Sequence, residues 1–330
     1  MKSECYIDTT VHFIASKFRE WRASHRLRGQ LIAEQLVSQS IKSVYGNNIG
    51  NIQKNDIIVF LKNSTVDQIE FAKEKQAITV YDICDNKFEE NPDIEECAKH
   101  ADYITCNSNV MKEEIYSRLQ KDSVVIPDPF ERYILPIQFA PHKSVRLLWF
   151  GSGSSLGYVN WHEVWKKLET RIVDYELTIL TAEAEKFKQK TISRIRKAEK
   201  KLGNINLDKI KFEEWSWQDQ QKHLISTDII FIPFDIEHHR TKTKSSTRVI
   251  DSLISGKFVI TSEIESYKEF SNFIWTKDYI KGITWALENP HQVSQMISQG
   301  QKYVLENYSV EKITDRWIKF FISIKNDKNF

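Results

Sequence analysis

Four of the chain's seven prolines, Pro127, Pro129, Pro136 and Pro141, crowd between positions 127 and 141. Each fixes φ and removes a backbone donor, so neither a helix nor a central strand can run through this stretch. An extended connector is expected, and 330 residues leave enough chain on each side for an independent core. Short apolar runs alternate with helical patterns on both sides, the signature of βα units that build parallel sheets. The pattern predicts strands at 5–10, 56–61, 77–81, 103–106 and 124–126, then at 145–150, 175–180, 210–212, 229–232 and 258–261. Helices are predicted at 64–75, 109–119, 161–169, 184–202, 246–255 and 279–288. The expected fold class is α/β, with two doubly wound Rossmann-like domains, 1–126 and 144–308, facing across a cleft and joined by a hinge at 127–143. A last amphipathic helix within 309–330, marked by Ile313, Trp317, Phe320, Phe321 and Ile324, is expected to pack back across the domains. In such sheets ligands bind beyond the carboxyl ends of the strands, so the residues just after each strand are the candidates for function.

Composition removes several classes of function. Apolar residues make up 41% and charged residues 28%, which favours packed cores over disorder. The 47 basic and 45 acidic residues leave a net charge of +2, which argues against a nucleic-acid partner. The four cysteines, Cys5, Cys84, Cys97 and Cys106, show no C-x-x-C spacing and read as reduced thiols rather than a disulfide frame or a zinc site. The opening MKSECYIDTT is charged almost at once and lacks an apolar signal core, and no stretch approaches the roughly 18 apolar residues of a spanning helix. A soluble, cytoplasmic protein is expected.

The most informative stretch runs from 242 to 261, KTKSSTRVIDSLISGKFVIT. It reads as a polar loop, a helix opening at Ser245, Ser246 and Thr247, a glycine stop at Gly256 and a buried strand. Serines at a helix start can cap it, and the free N–H groups there favour an anion. Lys244 and Arg248 flank that end with positive charge. Asp251 lies about one turn deeper on the same side, where it can accept a ribose hydroxyl. Phosphate at the helix tip and ribose below it make a coherent nucleotide-diphosphate site. Gly151, Ser152 and Gly153 follow the predicted strand 145–150, where glycine lets backbone approach a phosphate or sugar.

The pattern K-S-x-x-R-x-x-D-x-L-x-x-G-x-x-V-I over this stretch resembles the donor-site helix of GT-B glycosyltransferases near glycosyltransferase family 4. The segments 80–85, 101–108 and 125–129 resemble the acceptor half and hinge of such enzymes, and 147–153 the first strand and glycine-rich loop of the donor half. One departure stands out. The family carries two glutamates separated by seven residues, and here those positions hold Thr243 and Asp251. The resemblance implies transfer of a sugar from a nucleotide-sugar donor to a hydroxyl of a glycan or lipid-linked glycan, as in bacterial cell-surface polysaccharide synthesis. Lys244, Arg248 and the helix start would stabilise the departing phosphate, with no metal or other cofactor and with retention at the anomeric carbon. An inverting enzyme would instead need a base, for which Asp85 or His12 is the candidate.

Asp82, Lys62 and Asn107 also sit at strand ends of the first half and are assigned to the acceptor side. The run 235–240, DIEHHR, tempts a metal reading, but adjacent histidines do not readily converge on one ion. The chain also lacks a D-x-D triplet. A loop in which His238, His239 or Arg240 touches the donor is the alternative. Lys17, Arg19, Arg22, Arg26 and Arg28 are interleaved with Phe18 and Trp21, a pattern suited to an anionic membrane surface. A second basic run, 186–201, reads equally well as a solvated helix face. Two other functions compete with transfer: a GT-B-like sugar-nucleotide epimerase or phosphorylase, and a catalytically degenerate nucleotide- or glycan-binding subunit.

Overall fold

The computed structural model describes residues 9–15, 22–62, 64–137, 139–172, 174–202 and 206–328. In chain order the elements begin with β1 (Val11–Ala15), α1 (Ala23–His25), a π-helical turn (Arg26–Gln30), α2 (Leu31–Ser38), β2 (Ser43–Gly46) and β3 (Ile57–Leu61). They continue with α3 (Val66–Glu74), β4 (Ile78–Ile83), α4 (Asp93–His100), β5 (Tyr103–Cys106), α5 (Asn109–Leu119) and β6 (Val124–Val125). No helix or strand occupies 126–144 among the described residues. Then follow β7 (Val145–Phe150), α6 (Trp161–Arg171), β8 (Tyr175–Thr181), α7 (Ala184–Leu202), β9 (Ile210–Glu214), α8 (Trp217–Ser226) and β10 (Ile229–Ile232). The chain closes with α9 (Thr247–Ile254), β11 (Phe258–Thr261), α10 (Tyr279–Glu288), α11 (Pro290–Tyr308) and α12 (Val310–Lys328). Two compact units result: Met1–Glu131 with Thr243–Ser245 and Glu306–Phe330, and Arg132–Lys242 with Ser246–Leu305.

The first unit is built on a six-stranded parallel sheet in the order β2-β1-β3-β4-β5-β6. β1, β3 and β4 are buried at every position, because helices cover both faces of a parallel sheet and leave no polar side. α12 packs on α2 and completes this core: the Phe13 ring meets Trp317 at 5.7 Å and Phe321 at 6.4 Å. Within the π-helical turn three consecutive residues, Leu27, Arg28 and Gly29, are buried. Arg28 is 1% exposed and grips both oxygens of Asp82 at 2.6 and 2.7 Å, Asp128 at 2.9 Å and the Ile126 carbonyl at 2.6 Å. Its guanidinium also lies 5.6 Å from the Trp317 ring centre. Burial alone would lower the Arg28 ionisation, but Asp82 and Asp128 more than offset it and hold it well above its ordinary value.

Three expectations need correction here. The first strand among the described residues is Val11–Ala15; of the strand expected at 5–10, residues 5–8 lie outside the described residues and Thr9 and Thr10 are not in a strand. His12 interrupts the apolar run and masks it; the ring is accommodated by Asp56 Oδ2 at 3.1 Å. β2 was not anticipated, since its four residues, SVYG, form a half-exposed edge with little apolar signal. Of the basic run assigned to a membrane surface, Lys17 and Arg19 lie outside the described residues, while Arg26 and Arg28 are committed to ion pairs with Glu131 and with Asp82 and Asp128. Those two guanidinium groups are not available to headgroups.

The second unit carries a five-stranded parallel sheet in the order β11-β10-β7-β8-β9. Its core is rich in tryptophan: Trp149 packs edge-on to Trp161, which lies against Trp165. β7 is the first strand of this unit in sequence, and from it the chain winds outward to β8 and β9, then returns to β10 on the other side. The topological switch point therefore falls between β7 and β10, and a doubly wound sheet opens its ligand crevice at the carboxyl ends of those two strands.

Candidate active site

Three segments meet at this switch point: the turn after β7, the loop after β10 and the start of α9. Gly151 follows β7 directly, with φ at +151°, a conformation that L side chains rarely adopt. A Cβ at Gly151 would stand 3.5 Å from Arg248 Nη1. Arg248, on the first turn of α9, donates to the Phe150 carbonyl at 3.3 Å. Its guanidinium lies 4.9 Å from the Phe234 ring centre and 5.4 Å from that of Trp149. Phe234 comes from the loop after β10 and Trp149 from β7, so one cation joins all three segments.

Arg248 has no carboxylate partner among the described residues. Burial lowers its ionisation from the ordinary arginine value, and the nearby Tyr267 phenol partly counters this. Burial likewise raises Tyr267. An arginine stays protonated at neutral pH under any such shift. The site therefore holds a desolvated positive charge bordered by aromatic faces and one carbonyl, an arrangement that favours an incoming anion.

Ser246 occupies the N-cap position of α9, but its side chain makes no capping hydrogen bond, contrary to the expected serine cap. The N–H groups of the first turn are thus not closed off by that hydroxyl. Thr247 opens the helix beside it. Lys244 and Ser245 are half-buried and group with the first unit. Asp251 is 3% exposed, and its carboxylate lies 3.5 Å from Arg132 Nε. Arg132 also donates to Gln220 Oε1 at 2.9 Å and to the Trp217 carbonyl at 3.3 Å, and stacks over the Trp217 ring at 5.1 Å. Sequence reading missed Arg132, because its partner lies more than a hundred residues away.

Ser152 Oγ lies 3.0 Å from Ser154 Oγ. Gly153 is required by packing: a Cβ there would fall 2.0 Å from the Phe187 ring of α7. Gly153→Ala is expected to destabilise the protein by about 1–3 kcal/mol, the usual cost of overpacking. A melting curve tests this, and an unchanged midpoint would show that the turn yields freely. In the loop after β10, Arg240 hydrogen-bonds Tyr158 Oη, His238 lies 4.5 Å from the Tyr158 ring, and His239 stacks on His238 at 4.7 Å.

Of the residues assigned to the acceptor side, Lys62, Asp85 and Asn107 follow the carboxyl ends of the adjacent strands β3, β4 and β5, whereas Asp82 and His12 are taken up inside the sheet. Asp85 pairs with Lys62. Asn107 donates to the Cys84 carbonyl at 3.0 Å, and its Oδ1 is buried without a partner. Asp82 is consumed by Arg28 and Thr105 Oγ1. His12 is the second residue of β1, not a residue beyond it, and pairs with Asp56 just before β3. That is the amino edge of the sheet, so a base at the carboxyl edge cannot be His12. Cys84, Cys97 and Cys106 are buried free thiols. Among the described residues no three His, Cys, Asp or Glu side chains converge as a metal site, and no helix is long and apolar enough to cross a membrane.

No protein-family model matches the chain, and no curated protein matches its sequence. Solved structures match its fold. TarM is 14% identical with a TM-score of 0.63 over 88% of this chain, which spans 57% of TarM. Anabaena HepE in complex with UDP is 12% identical with a TM-score of 0.66, over 96% of this chain and 100% of HepE. AviGT4, a glycosyltransferase involved in avilamycin A biosynthesis, is 10% identical with a TM-score of 0.57, over 95% of this chain and 97% of AviGT4. With its two parallel, helix-flanked sheets, the chain has the GT-B architecture of two Rossmann-like domains.

Proposed function

We propose that the protein is a glycosyltransferase that moves a sugar from a nucleotide-sugar donor to a hydroxyl of a glycan acceptor. The observation that carries this reading is Arg248: a half-buried guanidinium without a carboxylate among the described residues, at the switch point of a doubly wound sheet and on the first turn of a helix. The HepE structure contains UDP, which supports a nucleoside diphosphate as the ligand class to test. In this reading the diphosphate lies at the start of α9, over Gly151, with Arg248 as counter-charge and Ser246 and Thr247 lining the approach. Ser152, Gly153 and Arg240 complete the donor side. Asp251, oriented by Arg132, takes the ribose.

The chemistry follows from the charge. Breaking the anomeric C–O bond leaves negative charge on the departing phosphate, and in this reading Arg248 and the helix start stabilise it. The transfer proceeds with retention, the leaving phosphate taking the acceptor proton, and without a metal. On the acceptor side, Lys62, Asp85 and Asn107 lie at the carboxyl ends of their strands.

UDP is the first donor fragment to test. At about 100 times its Kd it should stabilise the folded protein by about 2.7 kcal/mol, visible as a raised melting point, and Arg248→Ala should abolish the shift. If UDP, GDP, ADP, dTDP, CMP and phosphoribosyl pyrophosphate all leave the melting point unmoved, the donor site is misassigned.

A further inference from the structure

The basic run that begins at Lys186 is used by neither the core nor the donor site. α7 packs by one face: Ala184 and Thr191 are buried, and Phe187 lies against Gly153. The opposite face carries Lys186, Lys190, Arg194 and Lys197, all exposed. Spaced four, four and three residues apart, they form one ridge about 16 Å long at the helical rise of about 1.5 Å per residue.

This ridge is not neutralised by its surroundings. Glu183 pairs with Lys186 at its start, and Glu185 is shared by Lys188 and Gln189. Glu214 of β9 is spent on the helix start, accepting the Glu183 and Ala184 N–H groups at 2.7 and 2.8 Å. After Glu185 the next acid in the chain is Glu199. Among the described residues the side chains of Lys190, Arg194 and Lys197 make no hydrogen bond and no ion pair. Like charges at i and i+4 repel, so the helix itself gains nothing from setting Lys190 below Arg194.

Such a ridge suits a partner that is anionic, extended and flat. The one aromatic of α7, Phe187, is turned inward, so no ring stands among these cations to stack on a base. A net charge of +2 also gives the whole chain little pull on a polyanion. Lipid headgroups, by contrast, move laterally and meet point charges wherever these stand.

We propose that Lys186, Lys190, Arg194 and Lys197 of α7 form a docking surface for an anionic lipid bilayer. The ridge adjoins the glycine-rich turn after β7, where a Cβ at Gly157 would stand 3.8 Å from Arg194 Nη1. Docking therefore brings the candidate donor site to the membrane, where a lipid-linked acceptor would be met. That last step rests on the glycosyltransferase reading; the docking surface does not.

The test is cosedimentation of the full chain with vesicles of phosphatidylcholine containing about one-third phosphatidylglycerol, against phosphatidylcholine alone. Binding is expected to the anionic vesicles only, and it should fall as salt rises from about 50 to about 300 mM. K190Q/R194Q/K197Q should weaken it about a hundredfold, at about fivefold for each charge removed. K54Q/K112Q/K281Q, which removes three exposed lysines elsewhere, should leave it unchanged. Both variants should keep the wild-type melting point and UDP shift, since all six side chains are exposed. No binding to anionic vesicles at the lower salt, or an equal loss in the two variants, would overturn the surface. Tighter, ridge-dependent binding to a duplex oligonucleotide would hand the ridge to nucleic acid and overturn the bilayer assignment. Vesicle binding by a protein whose melting point no nucleotide moves would uphold the surface while removing the donor reading.

Discussion

Arg28→Met is expected to remove about 3–5 kcal/mol of folding stability, the cost of leaving buried carboxylates without their cation. Asp82 and Asp128 are both bound to Arg28 inside the first unit. Neither can reach water to recover its solvation, so the penalty falls on the folded state. Urea unfolding followed through the first unit's transition measures it, with m-values compared to confirm that only stability changed. The triple variant R28M/D82N/D128N should recover most of the loss, because it removes all the charges together. A single variant R28M within about 0.5 kcal/mol of the wild type would mean that the network is worth no more than a surface pair.

Arg248→Ala is expected to lower turnover by about 10²–10³-fold, equivalent to about 2.7–4 kcal/mol of transition-state stabilisation. The same change should leave the melting point unaltered or raise it. Arg248 is a desolvated charge without a carboxylate, so removing it relieves a cost in the unliganded protein. Activity and stability moving in opposite directions is the mark of a residue kept for chemistry. Steady-state kinetics and a melting curve on one preparation decide the matter. Near-native turnover would discard the site, and a collapse of stability with turnover would reassign Arg248 to the core.

The sheets were legible in the sequence where burial on both faces produces an unbroken apolar run, as in β3, β10 and residues 147–150 of β7. β1 was misplaced because His12 breaks its run, and only the distant Asp56 makes that histidine acceptable inside. α11 escaped notice although Pro290 at its first position is a start signal; Val293, Ile297 and Val304 are spaced too thinly among glutamines and serines to show a face. α8 begins at a Ser216 cap that accepts from the Asp219 N–H, a local signal that was present but unread. At the candidate site, Arg248 could be read from its spacing relative to the helix start. Arg132 and Tyr267 could not, since burial and partners far away in sequence, rather than any local motif, give them their character.

The core of the first unit is closed by Trp317 and Phe321, which lie on Phe13 near the opposite end of the chain. During vectorial synthesis the ribosome releases β1 long before α12, so the sheet around β1 waits for α12 until the residues between them have emerged. The second unit, whose residues end at Leu305, can reach its native packing first. A chain truncated before α12 is therefore expected to leave Phe13 without its Trp317 and Phe321 contacts.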